Sequence, residues 1–334
     1  MFDSRALIDR VYETVAAHNL GTPGAYRRWS RQWDGRALET TANAYGCADA
    51  ANILYTIGCF PRDLDERKGW VSALQALQSP ATGMFHEETH HPIHTTAHCI
   101  ASLELFDAGP QHPVTGLWDL RNVQRMESWL ETLDWWNNPW TASHKGAGLY
   151  AALVLTGSAS LAWQDRYFSW LWINSDPETG FLRRAYVRPL KHRDTLSIFP
   201  HLAGTFHYFF NHVYARRPFR YPQAVIDSCL DIYNRRLYPL GARVGFAEID
   251  WVFCLVRSLQ QSGHRFPECR AAVTAFAEEY VPFLNSLDAS DPGFDDLHAL
   301  FGAMCCLAEL QQAIPGLIKT ERPLKNVLDR RPFI

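Results

Sequence analysis

The chain has 334 residues and is nearly balanced in charge, with 32 Lys and Arg against 35 Asp and Glu and a formal net charge of −3. Hydrophobic residues make up 47% of it, enough to bury a core, and this excludes a disordered chain. The charge balance offers no basic surface for a phosphate backbone, and no stretch reaches the roughly 18 uncharged apolar residues that a membrane span needs. We expect neither nucleic acid nor a membrane as a partner.

The N-terminus and the cysteines indicate a reducing compartment. The opening MFDSRALIDRVYETVAAH is charged from its third residue and lacks the apolar core of a signal peptide. The eight cysteines form no CxxC pair, and most lie in apolar helical surroundings. They are therefore expected to be buried free thiols, and the predicted localisation is cytoplasmic.

Apolar residues recur at three- and four-residue spacing through nearly the whole chain, which is typical of helices. The spacing predicts twelve helices, near residues 4–18, 43–57, 63–77, 94–107, 119–133, 142–157, 162–173, 197–214, 222–235, 248–262, 267–284 and 296–312. Asp63 and Asp119 are the expected N-caps of the third and fifth helices. No linker rich in Pro, Gly or Ser divides the chain, so we predict a single domain over 1–334, with 315–334 as a C-terminal tail.

The predicted helices alternate in character along the chain. Odd-numbered ones carry many charges, as in DLDERKGWVSALQALQ, whereas even-numbered ones are small and apolar, as in HALFGAMCCLAEL. An amphipathic helix keeps one face in solvent, but a helix that is apolar on nearly all sides must be enclosed. Six outer helices alternating with six inner helices predict an all-α fold, the (α/α)6 toroid.

An internal repeat supports this fold. GFAEIDWVFCLVRSL from Gly245 aligns with GFDDLHALFGAMCCL from Gly293, which places Asp250 opposite His298. Two loops, SPATGMF from Ser79 and DPETGFL from Asp176, also share a Gly before an aromatic residue. The Gly allows a turn with positive φ, and the aromatic residue is expected to close the rim of the toroid.

Alternating helix pairs, with loops such as DPETGF before an inner helix, resemble the six-hairpin glycosidase-like superfamily over the whole chain. That superfamily contains glycoside hydrolases, unsaturated uronyl hydrolases and sugar epimerases, and polysaccharide lyases use related toroids. The resemblance implies a carbohydrate-active enzyme. It carries over no catalytic residue, because the chain shows no single family signature, and fold alone does not fix function.

Polar residues lie near the start of every predicted inner helix. In chain order they are Asp49 with Asn52, His94 with His98, Ser143 with His144, His201 with His207, Glu248 with Asp250, and Asp296 with His298. Inner helices of a toroid run parallel, so these groups converge on one mouth of the central cavity together with six positive dipole ends. Asp296 and Ser143 are equally explained as helix caps. We place the active site at this mouth.

Glycoside hydrolysis is the favoured chemistry, acting on an oligosaccharide or a sugar that contains uronic acid. It needs two carboxyl groups flanking the bond, and the candidates are Asp49, Glu87, Glu88, Glu248, Asp250 and Asp295. Asp250 is preferred as the general acid because burial in an apolar helix would raise its pKa, and Glu88 or Asp49 supplies the partner. Trp135, Trp136 and Trp140 are either walls that stack on sugar or residues that seal a loop.

A sugar epimerase, isomerase or lyase that uses histidine bases is the first alternative, placed slightly behind hydrolysis. His94, His98, His207 and His298 would transfer protons, because the pKa of imidazole lies near neutrality. The expected substrate contacts are Asp49, Asn138, His144, Arg183, Arg193 and Tyr208. The basic loop RRAYVRPLKHRD is a weak indication of an anionic substrate.

Three further alternatives stay open. His94 and His98 are four residues apart and share a helix face, which suits a divalent metal with Glu87, Glu88, His90 or His91 as further ligands, although no cofactor is favoured. A terpene cyclase or prenyltransferase is weakened because DLDE at 63–66 and FDDLH at 294–298 match neither the DxDD nor the DDxxD motif. A non-catalytic helical binding scaffold is the last alternative. The sequence does not determine the oligomeric state.

Overall fold

A computed structural model of the chain describes residues 1–31, 38–187 and 198–333. These residues are mostly helical, which confirms the all-α prediction. The helices are α1 (Arg5–Ala17), α2 (Ala44–Thr56), α3 (Leu64–Ala76), α4 (Pro92–Glu104), α5 (Val123–Glu131), α6 (Pro139–Leu155), α7 (Leu161–Asn174), α8 (Arg184–Val187), α9 (Phe199–Tyr214), α10 (Pro222–Asn234), α11 (Ala247–Ser262), α12 (Phe266–Ser286), α13 (Pro292–Asp295) and α14 (Leu297–Ala313). Two short strands, β1 (Phe2–Asp3) and β2 (Ile318–Lys319), pair in parallel. Among the described helices, none has the length and apolar character that crossing a membrane requires.

Six helices are buried along most of their length: α2, α4, α6, α9, α11 and α14. Each of them packs against the next in this order, and α14 packs back against α2, so their contacts form a closed circuit. These are the six helices that the sequence predicts to be inner. Enclosure agrees with their composition, since nearly every side of them is apolar or small.

The helices between them bury much less. The third helix, α3, buries only Trp70 and Leu74, and α5 buries Met126 and Leu130, in each case one stripe of an otherwise exposed surface. The helices α1, α7, α10 and α12 show the same one-sided pattern over longer stretches. The predicted alternation in composition is therefore an alternation in burial.

The helix ends confirm some predicted caps and correct others. The Asp63 carboxylate accepts hydrogen bonds from the backbone N–H groups of Asp65 and Glu66, which confirms it as the cap of α3. Asp119 as the cap of the fifth helix is wrong. It lies inside a 3-10 helix over Thr115–Arg121, and α5 begins only after this segment, with the Asn122 side chain as its cap. The amide oxygen of Asn122 is in reach of the free N–H groups of the first turn, whereas Asp119 is not.

Two further predicted caps lie at the inner-helix starts. The Asp296 carboxylate accepts from the backbone N–H of His298 at 3.0 Å, which confirms it as the cap of α14. A capping role for Ser143 is wrong, because α6 already begins at Pro139. Ser143 therefore lies within the helix, and its hydroxyl donates to the Trp140 carbonyl.

The two loops that share a Gly before an aromatic residue have the predicted geometry. Gly83 has φ +68° and Gly180 has φ +74°, values that disfavour any side chain. A Cβ at Gly83 would also lie 2.0 Å from the Pro113 carbonyl oxygen. The close approach of the segment that contains Pro113 therefore requires glycine at position 83. Phe85 and Phe181, just beyond the two glycines, are fully buried.

The described part of the C-terminal tail, up to Phe333, enters the helical circuit. Arg331 and Phe333 are fully buried, and the Pro332 carbonyl accepts from the Asn211 side chain of α9 at 2.7 Å. The Arg331 guanidinium donates to Asn52 of α2 and to His98 of α4, and the Phe333 ring lies 4.8 Å from the His94 ring. The tail thus supports the polar side chains of the inner helices from within.

Candidate functional site

A cavity of about 260 Å³ lies at the N-terminal ends of the inner helices. It is lined by Arg28, His90, His94, Trp140, His144, His207, Gly245, Phe246, Asp296, His298 and Ala299. Five of the six inner helices contribute a lining residue, from within the helix or from just before its first turn. The structure therefore brings five of the twelve polar residues that the sequence predicts to converge to the cavity wall: His94, His144, His207, Asp296 and His298.

Asp49 of the remaining inner helix, α2, lies against this cavity but is fully buried. Its carboxylate accepts from His98 Nε2–H at 2.7 Å and from His298 Nδ1–H at 3.2 Å. Burial alone raises the pKa of the Asp49 carboxyl, but the electrostatic interactions and hydrogen bonds of His298 and His98 outweigh it and hold the pKa below its usual range. Asp49 is therefore an ionised carboxylate held between two imidazoles.

The hydrogen bonds around Asp49 assign the protons on both rings. Arg331 can only donate, and it donates to His98 Nδ1 at 2.9 Å, so the proton of His98 is on Nε2. Burial lowers the pKa of His98 to about 4, which keeps this ring neutral. Asp49 can only accept, so it holds the His298 proton on Nδ1. The lone pair on His298 Nε2 is then left for a ligand in the cavity.

Three more histidines form a second cluster beside this pair. The ring centroids of His94 and His144 are 4.4 Å apart, and those of His144 and His207 are 4.6 Å apart. Burial, together with repulsion from neighbouring imidazoles, lowers the pKa of His94 and His144 well below the usual value. Burial also lowers the pKa of His207 to about 3. All three rings are therefore neutral at neutral pH.

Tyr45 and His90 join the two groups of histidines. The Tyr45 hydroxyl is hydrogen-bonded to His94 Nδ1, its ring stacks on His90 at 4.4 Å, and it meets His298 edge-on at 4.6 Å. The sequence pattern did not predict Tyr45 as a site residue. The available signal was its position one helical turn before Asp49, on the same face of α2.

Arg28 is a cationic side chain on the cavity wall. Like Tyr45, it was not predicted from the sequence as a site residue. Its guanidinium donates to the two Asp296 oxygens at 2.7 and 2.9 Å and to the Thr89 hydroxyl at 2.6 Å. Glu87 lies 3.6 Å from it, and although burial raises the pKa of Glu87, His90, Thr89 and Arg28 lower it to about 2. Glu87 is thus ionised, and the carboxylates of Glu87 and Asp296 are both engaged. No helical periodicity marks Arg28, because it lies in a loop.

Asp250, the preferred general acid, does not line this cavity. It is fully buried on α11, and neither of its carboxylate oxygens has a hydrogen-bond partner among the described residues. Burial and the neighbouring Glu248 raise the pKa of Asp250 well above the usual value, and burial raises the pKa of Glu248 to about 7. The expected direction of the Asp250 pKa shift is confirmed, but Asp250 is not among the residues that line the cavity.

The other predicted site residues divide between the cavity and the rest of the molecule. Trp140 lines the cavity, whereas Trp136 is 62% exposed and Glu88 is exposed on the loop before α4. Tyr208 is fully buried and stacks on Trp135.

The predicted basic contacts lie elsewhere. Arg183 donates to Glu131 and to Asn174 and does not line the cavity. Arg188, Lys191 and Arg193 of the basic loop lie outside the described residues. The anionic substrate that this loop indicates therefore stays a prediction.

His94 and His98, predicted as a pair of metal ligands, lie in two different groups of possible ligands. One ring nitrogen from each of His94, His144 and His207 lies within 4.8 Å of the others, and Asp49, His98 and His298 form a second such group. His94 and His98 share a helix face, as the spacing predicts, but His98 is directed to Asp49 and Arg331.

Comparisons with protein-family models, with curated proteins and with solved structures found no match to this chain. The resemblance to the six-hairpin glycosidase-like superfamily therefore stays a prediction.

Proposed function

We propose that the circuit of inner helices is an (α/α)6 toroid and that its histidine-lined cavity is the active site of a carbohydrate-active enzyme. The reaction is removal of a proton from a carbon next to a carbonyl or carboxylate group, as in sugar epimerisation, isomerisation or lyase chemistry. The observation that carries this proposal is the hydrogen bond from His298 Nδ1–H to the buried Asp49 carboxylate.

His298 is the proposed general base. Its Nε2 lone pair takes the substrate proton, and the ring becomes an imidazolium whose new charge lies next to ionised Asp49. A carboxylate that orients an imidazole through Nδ1–H stabilises the imidazolium without itself taking the proton. His98 Nε2–H is the second donor to Asp49. Arg331 supports it by donating to His98 Nδ1, which keeps the His98 proton on Nε2.

The rest of the cavity suits a polar ligand of modest size. Neutral His94, His144 and His207 line the cavity, and their unengaged ring-nitrogen lone pairs can accept hydrogen bonds from substrate hydroxyl groups. Trp140 offers an aromatic face of the kind that stacks on sugar rings. The choice of a carbohydrate rests on these residues and on the resemblance of the helix pattern.

Glycoside hydrolysis has less support from the same geometry and becomes the second candidate. It needs one carboxyl group that can donate a proton and a second that is unengaged on the other side of the bond. Asp296 is bound to Arg28, and Asp49 to two histidines. Asp250, whose raised pKa suits a general acid, does not line the cavity.

Proton exchange with solvent tests the proposal even when the product has not been identified. The protein is incubated in D₂O with a panel of aldoses, ketoses and uronic acids, and NMR follows the loss of hydrogen signal next to the carbonyl or carboxylate. The wild-type protein should exchange at least one substrate, His298→Gln should lose the exchange by about 100-fold or more, and Asp250→Asn should retain it. Exchange at the wild-type rate by His298→Gln, or no exchange with any member of the panel, would contradict the proposal.

A further inference from the structure

We propose that His94, His144 and His207 bind one divalent transition-metal ion, with Zn²⁺ the ion that their ligand type fits best. The three ligands come from the consecutive inner helices α4, α6 and α9. This site goes beyond the proposed proton abstraction, and its existence does not depend on that chemistry.

The donor set has the composition of a catalytic zinc centre. One ring nitrogen from each histidine lies within 4.8 Å of the other two. Zinc binds imidazole nitrogen at about 2.0–2.1 Å, and three histidines that leave a fourth position open form a recurrent catalytic arrangement. The same three residues line the cavity, so a ligand in the cavity could reach the fourth position of an ion that they held.

The hydrogen bonds of His94 and His207 both involve Nδ1, which leaves Nε2 of each ring unengaged for a metal ion. His207 Nδ1–H donates to the Ala203 carbonyl at 3.0 Å, so its Nε2 lone pair is unengaged. His94 Nδ1 is hydrogen-bonded to the Tyr45 hydroxyl, which would accept Nδ1–H when Nε2 binds a metal. Hydrogen bonds of this kind orient metal-binding histidines in proteins. His144 packs between the other two rings and makes no hydrogen bond to the residues that the structure describes.

The neighbouring group of Asp49, His98 and His298 is the poorer site. The ring nitrogens of His98 are both engaged, one by Asp49 and the other by Arg331. Arg331 brings a positive charge against this group, and a divalent cation there would be repelled by it. His98, predicted as a ligand from its spacing to His94, is therefore excluded from the proposed metal site.

A bound ion would act as a Lewis acid on an oxygen of the substrate, which acidifies the adjacent C–H bond. The ring centroids of His94 and His298 are 6.3 Å apart, so one small substrate can reach both the ion and the base. This role, unlike the metal site itself, rests on the proposed function.

Metal binding is tested directly on the full chain. The protein is stripped with a chelator and titrated with Zn²⁺ by calorimetry and with Co²⁺ by visible absorption, since tetrahedral Co²⁺ gives a characteristic spectrum. We expect about one equivalent per chain for the wild-type protein. His144→Gln and His207→Gln should lower the affinity by about 100-fold or more. The affinity should be kept by His298→Gln, in the group with Asp49 and His98, and by the control His264→Gln, whose ring is paired with Asp227.

A graded variant separates a ligand site from unspecific binding. Tyr45→Phe removes the partner of His94 but no ligand, and it should weaken binding by about 10–100-fold. Circular dichroism and the thermal midpoint of each variant establish that it is folded. His144→Gln is the variant best suited to this check, because its loss breaks no hydrogen bond among the described residues.

Three outcomes would overturn the metal site. They are no binding by the folded wild-type protein, equal binding by His144→Gln and wild type, and loss of binding in His298→Gln with retention in His144→Gln. Because none of these readouts uses turnover, failure of the metal site is distinguishable from failure of the proton-exchange experiment.

Discussion

Asp49 and Asp250 are the same residue type in opposite surroundings. Both are fully buried, and both lie in the first half of an inner helix, α2 and α11. Two imidazoles donate to Asp49, whereas neither oxygen of Asp250 has a partner among the described residues. The pKa is held below its usual range in Asp49 and raised well above it in Asp250.

The inner helices α2 and α11 therefore differ in the charge that each can keep buried. The ionised carboxylate is on α2. Burying a carboxylate costs several kcal/mol unless donors replace the lost water, roughly the cost that the histidines offset at Asp49. At α11 the cost is avoided by protonation of Asp250, and Glu248, whose pKa burial raises to about 7, is protonated below neutral pH. Chemistry that needs a fixed negative charge is therefore possible beside Asp49 and not beside Asp250.

The largest expected effect is that of Asp49→Asn. The substitution removes the charge that Arg331 and the two histidine donors surround, and it places an amide N–H₂ donor where one carboxylate oxygen now lies. Breaking a buried charge arrangement of this kind typically costs about 3–5 kcal/mol of unfolding free energy. Urea unfolding at pH 7 measures it, and a loss below about 1 kcal/mol would show that Asp49 is not the centre of the network.

The next largest effect is a pH dependence at α11. Because the folded-state pKa of Glu248 is raised from 4.5 to about 7, its contribution to stability is fully present below pH 4.5 and is lost as the pH rises through about 7. The expected loss is about 3 kcal/mol. Glu248→Gln should remove this part of the dependence, so the wild-type protein and the variant are compared by urea unfolding from pH 4.5 to 8. Parallel curves for the two proteins would contradict the raised pKa.

The smallest loss is expected for Asp250→Asn, the matched partner of Asp49→Asn. The folded state already holds Asp250 in its neutral form, so the variant removes the cost of protonating it at neutral pH. The unfolding free energy at pH 7 should equal or exceed that of the wild-type protein. A loss as large as that of Asp49→Asn would mean that Asp250 has an ionic partner, and the contrast between the two aspartates would fail.

The sequence predicts much of this architecture because helical periodicity and burial are local signals. The alternation of charged and apolar helices locates the six inner helices, and the polar residues at their starts locate His94, His144, His207 and His298. Arg28 and Arg331 could not be found this way, because a loop and the C-terminal tail bring them to the site through tertiary packing.

The choice between Asp49 and Asp250 also lay beyond the sequence. Each interrupts an apolar helix in the same manner, so each is expected to be buried. What distinguishes them is the presence of donors: Asp250 has none among the described residues, and those of Asp49 lie 49 and 249 residues away along the chain. No local pattern records such a contact.

The tautomers of the histidines test the central claim most directly. The protein labelled with ¹⁵N-histidine is studied at alkaline pH by long-range nitrogen–proton NMR, with His98→Gln and His298→Gln used to assign the signals. The account predicts a proton on Nδ1 of His298, a proton on Nε2 of His98, and loss or displacement of the His298 Nδ1 signal in Asp49→Asn. A proton on Nε2 of a neutral His298 would contradict the account. That ring could then not donate to Asp49 through Nδ1, and its Nε2 could not accept a proton from a substrate.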